Sequence, residues 1–80
     1  MDAAEFKRSL TPEEKVLIRV RDTLYEGSWD ELEADLRARL GGKPYIFKLA
    51  TRIEEDLARI ERLRGFERES GADVGTFLDT

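Results

Sequence analysis

Residues 25–32 read "YEGSWDEL". Within this stretch one helix ends and another begins. Gly27 can adopt the left-handed conformation that closes a helix C-terminus, and Ser28 can accept a free N–H of the next first turn. Glu31, three residues on, completes a capping-box pattern. A junction this short turns the chain back on itself, so the helices on either side are expected to run antiparallel or at a steep angle.

The same punctuation recurs on both sides. In "LTPEEKV", residues 10–16, Thr11 is an N-cap, Pro12 suits the first helical position and Glu14 closes a second capping box. In "LGGKPY", residues 40–45, Gly41 is expected as a left-handed cap and Pro44 as the entry to a further helix. "ESGADVG" stops that helix near Gly71. The spacing predicts helices at about 12–26, about 28–40 and about 44–69, with a short turn or helix at about 73–78. Strand signals are absent. The expectation is an all-α fold: one helical domain over residues 1–80, built as a small three-helix bundle with short flanking N- and C-terminal segments. Gly65 marks a place where the third helix would bend or stop early.

The apolar faces differ. The 28–40 segment has a narrow stripe, Trp29, Leu32, Leu36 and Leu40. The 44–69 segment has a heptad-like seam of Ile46, Leu49, Ile53, Ile60 and Leu63, with Asp56 where an apolar residue would be expected. In the 12–26 segment Val16, Leu17, Ile18, Val20, Leu24 and Tyr25 occupy roughly 200° of the circumference, more than one core-facing stripe requires. That helix is either central to the domain or half of a subunit interface. The longest helix would run about 30–39 Å against about 20 Å for the one before it. Its far end needs cover, from the chain ends through Phe6, Leu10, Val74, Phe77 and Leu78, or from a second copy.

Composition narrows the chemistry. The chain has 80 residues, 40% of them charged, with 14 basic against 18 acidic side chains and a net charge of −4. An acidic balance argues against undirected nucleic-acid or membrane binding. With no cysteine and no histidine, neither a disulfide nor a Cys/His zinc site can form. The usual base and nucleophile are missing too, and no phosphate-binding glycine loop occurs. The first residues, "MDAAEFKRSL", lack the apolar run of a secretory signal, so a cytoplasmic location is expected, with no membrane partner, no metal, no cofactor and no enzymatic activity.

Three residue sets remain as candidate sites. Val16, Ile18, Tyr25 and Phe47 are candidate contacts for another protein chain. Lys43, Lys48, Arg52, Arg59 and Arg62 form a basic strip; residues 43–68 hold seven basic and five acidic side chains, a local excess of +2. With "GGKPYIFKLATR" (41–52) leading into it, the strip has the outline of a helix-turn-helix reading head, although this chain has no Asn or Gln to read bases. Arg21, inside an apolar arc, and Asp56, on an apolar seam, would fix register if paired with each other. Asp56 could instead bond Arg52 or Arg59 one turn away. The reading preferred is a non-enzymatic interaction module that associates as a homodimer or with another protein. The alternative is a small nucleic-acid-binding regulator using the basic strip.

Overall fold

The N-terminus opens on a capping box of its own. In the computed structural model, which describes the backbone of residues 2–41 and 47–78 and the side chains of 2–41 and 51–78, α1 spans Ala3–Ser9. The Asp2 carboxylate accepts the Glu5 N–H at 2.8 Å, and Glu5 reaches back to the Asp2 N–H. α2 spans Pro12–Leu24, and Thr11 and Glu14 exchange the reciprocal bonds expected of them at 3.2 and 2.9 Å. It ends before residue 26, because Glu26 and Gly27 both take positive φ, 53° and 80°. The Gly27 N–H then closes on the Arg21 carbonyl at 2.9 Å.

α3 spans Trp29–Gly41. The Ser28 hydroxyl accepts the Glu31 N–H at 3.2 Å, as the "GSWDE" pattern requires. α4 spans Phe47–Ser70, 24 residues and about 36 Å long. It stops where Gly71 turns to φ 74°, and a 3-10 helix follows at Val74–Leu78.

These elements correct the three-helix expectation. Among the described residues the chain forms four α-helices and one 3-10 helix. The N-terminal flank is a helix because its cap satisfies free N–H groups and Phe6 anchors it, stacked on Phe66 with ring centroids 4.0 Å apart. Gly41 is the last residue of α3 rather than a left-handed cap, and α4 does not stop early at Gly65 but continues through it to Ser70.

Ion pairs give the helix directions. Glu14–Arg62 and Arg21–Glu67 ascend together, so α2 and α4 run parallel; Trp29–Glu67 and Glu33–Arg64 show α3 antiparallel to both. Every element contributes to one buried cluster of Phe6, Leu10, Leu17, Ile18, Trp29, Leu32, Ile60, Leu63, Phe66 and Val74. Ile18, Ile60, Leu63 and Val74 are sealed from solvent, each worth about 1.5–3 kcal/mol of burial. Phe6 and Leu10 together with Val74 and Phe77 therefore cover the far half of α4, Phe6 and Phe77 meeting over Phe66. Among the described residues no helix is long and apolar enough to cross a membrane.

Candidate functional site

The most tightly built polar cluster centres on Arg21. The last turn of α2 faces it into the core, and it is only 3% exposed. Three carboxylates meet its guanidinium: its neighbour Asp22 at 2.8 Å, Glu67 of α4 at 3.3 Å and Asp73 at 2.8 Å, just before the 3-10 helix. The guanidinium also lies over the Trp29 ring, 4.6 Å from its centroid. Glu67 is shared further, accepting the Trp29 indole N–H at 2.7 Å and the Val74 N–H at 2.9 Å. Burial alone would lower the Arg21 pKa, but its bonds to Asp73 and Asp22 outweigh that and raise it. The Gly75 N–H, with Arg21 behind it, holds the Asp73 carboxyl below its ordinary value.

Two further arginines of α4 are tied inward. Arg62 meets buried Glu14 at 2.5 Å and the Ser9 hydroxyl at 2.6 Å, and lies over the Phe6 ring. Arg64 pairs with buried Glu33 and with Asp30. No buried side-chain polar atom is left without a partner among the described residues. Such satisfaction is what a structural network requires. No group of acidic side chains among the described residues is placed to hold a metal ion.

The candidate residues separate once placed. Ile18 is fully buried, so its side chain is core and is withdrawn as a partner contact. Tyr25 is half-buried and donates its hydroxyl to Asp35; that bond, with burial and the carboxylate charge, raises the phenol pKa. Val16 is 56% exposed. The Phe47 and Lys48 side chains, and Lys43 altogether, lie outside the described residues. In the basic strip, Arg62 is neutralised by Glu14 and Arg59 by Asp56 at 2.8 Å, while Arg52 is exposed. Arg21 and Asp56 are not brought together: each is paired elsewhere, Arg21 in its three-carboxylate knot and Asp56 with Arg59 one turn along.

A shallow groove of about 330 Å³ does unite residues from all three sets. It lies between the start of α2 and the first half of α4. Pro12, Glu13, Val16 and Leu17 form one wall, and Arg52, Glu55, Asp56 and Arg59 the other. Its upper lip continues along α2 as Val16, Val20 and Leu24, four residues apart and so on one helix face. Val20 is half-buried against the core, and Leu24 is 71% exposed.

The buried carboxylates Glu14 and Glu33 escaped sequence reasoning, because both sit in stretches that read as polar helix surface. The signal that could have found Glu14 is its double duty, capping Thr11 while standing one turn before Leu17 and Ile18. No family model, no curated protein and no solved structure matches this chain.

Proposed function

We propose that the chain is a non-enzymatic interaction module whose partner is a second copy of itself, docking on the outer face of α2. The observation that carries this reading is the stripe Val16, Val20 and Leu24. Val16 and Leu24 are the exposed large hydrophobic side chains among the described residues, and they share one face of one helix. Scattered exposed apolar residues need no explanation, but an aligned set on a helix is the usual form of a helix-packing surface. The flank carries both charge signs, Glu13 and Lys15 beside Arg19 and Asp22, which suits an isologous contact where each surface meets itself.

The nucleic-acid alternative has less support, since Arg59 and Arg62 are committed to Asp56 and Glu14 and would have to surrender those partners to bind phosphate. Light scattering after size exclusion tests the proposal. The unaltered chain should rise in mass with concentration, and a Val16→Asp, Leu24→Asp double variant should remain at the mass of one chain with unchanged helix content.

A further inference from the structure

Two features of the outer α2 face have complementary shapes. Leu24 projects: at 71% exposure it stands further into solvent than any other large apolar side chain among the described residues. It belongs neither to the buried cluster nor to the apolar side chains packed against that cluster. The groove recedes, with Pro12 and Glu13 on one wall and Arg52 and Arg59 on the other. Val16 belongs to both, since it lines the groove and is also an exposed member of the stripe, so groove and stripe form one continuous surface. Leu24 lies two turns beyond Val16, about 12 Å along the helix axis.

A projection and a recess on one helix face fit their counterparts in a second copy only when the two helices meet antiparallel. A two-fold axis at Val20 sets the partner's Leu24 over Val16, and Leu24 over the partner's Val16, so both grooves fill at once. A parallel pair would set Leu24 against Leu24 and leave both grooves open.

Charge favours the same register. Lys15, Arg19 and Asp22 follow at steps of four and three residues, so they share the flank beside the stripe, and Glu26 follows just past the helix end. The basic residues come first on this flank and the acidic ones last. The antiparallel two-fold therefore brings Lys15 beside the partner's Glu26 and Arg19 beside the partner's Asp22. Lys15 and Glu26 are exposed and form no ion pair among the described residues, so a partner can take both without breaking an existing contact. Glu13 stands on the other flank, within the groove.

We propose that the groove between α2 and α4 receives Leu24 of a second copy, in an antiparallel dimer whose two-fold axis passes Val20. The inference rests on the self-association reading given above, and adds to it the register and the share taken by α4. Each copy contributes one side chain and one recess, and Arg52 on the far wall becomes part of the contact.

The chain has no cysteine, so introduced thiols report the register directly. Val16→Cys and Leu24→Cys chains are mixed in equal amounts under mild oxidation, and the linked dimers are sorted by mass. The dimer joining the two variants should exceed its random share, since only that pairing comes within disulfide reach, about 4.4–6.8 Å between Cα atoms. The groove is tested separately by Arg52→Trp, which fills it from the α4 wall and leaves the stripe intact. Sedimentation equilibrium should give an association constant about tenfold lower than that of the unaltered chain, with unchanged helix content.

Leu24→Cys chains that link to one another as readily as to Val16→Cys chains would overturn the proposal, and so would an Arg52→Trp chain that associates as well as the unaltered one. Either result leaves self-association through α2 standing. If the unaltered chain does not associate at any concentration, both readings fall. Should Arg52→Trp lose helix content, Glu55→Trp fills the groove from the same wall and is read against the same outcomes.

Discussion

The two halves of α4 show how one helix can be core and surface in turn. From Ile60 to Phe66 it is enclosed: α1, α2, α3 and the 3-10 helix all touch it, and Arg62, Arg64 and Glu67 are each committed to partners on other elements. From Arg52 to Arg59 it borders an open groove, and its charged side chains pair along the helix, as Asp56 does with Arg59. The composition of the two halves is similar. What differs is the partner of each charge. Long-range pairs onto buried carboxylates fix the position of neighbouring elements, whereas a pair one turn apart on an exposed face fixes nothing beyond its own helix.

The largest effect should come from the enclosed half. Trp29 packs in the core, donates to Glu67 and lies under Arg21, so Trp29→Ala removes a large side chain and two polar contacts at once. A loss of about 3–5 kcal/mol in urea unfolding is expected. A change under about 1 kcal/mol would break the contrast between the halves.

Acid should act next, at Asp73. The Asp73 pKa is depressed below its ordinary 3.8, so its contribution is full above that value and is lost as pH falls through the depressed one. Hydrogen exchange in segment 71–78 should accelerate over that window before exchange in α4 does. Simultaneous acceleration would mean that the segment and α4 open as one cooperative unit.

The smallest effect belongs to the groove. Asp56→Ala removes a partly exposed pair with Arg59 and should cost about 0.3–0.5 kcal/mol, measured by the same urea midpoint. A loss several times larger would mean that Asp56 supports more than its own turn.

Much of this fold was legible. Thr11, Pro12 and Glu14 announced α2, Ser28 announced α3, and Gly71 announced the end of α4, because caps are local and their residues must sit at fixed spacings. The same rule applied to "DAAE" at residues 2–5 would have found α1; it was passed over because its single apolar anchor, Phe6, gives no helical period. The buried carboxylates were not legible. Glu14 and Glu33 are buried because Arg62 and Arg64 meet them across nonlocal gaps of 48 and 31 residues, and no local pattern carries that information. The wide apolar arc of α2 left two readings open, a central helix or half of a subunit interface, and part of the arc serves the chain's own C-terminal segment. What is left over, Val16 to Leu24, is narrower than the sequence suggested.

That remaining stripe is tested most directly by molar mass against concentration, measured by light scattering after size exclusion from low micromolar to millimolar loading. Self-association through α2 requires a mass that climbs from one chain towards two, and a Val16→Asp, Leu24→Asp variant that stays at one chain throughout. A mass of one chain at every concentration of the unaltered protein, or a double variant that climbs just as it does, would contradict it.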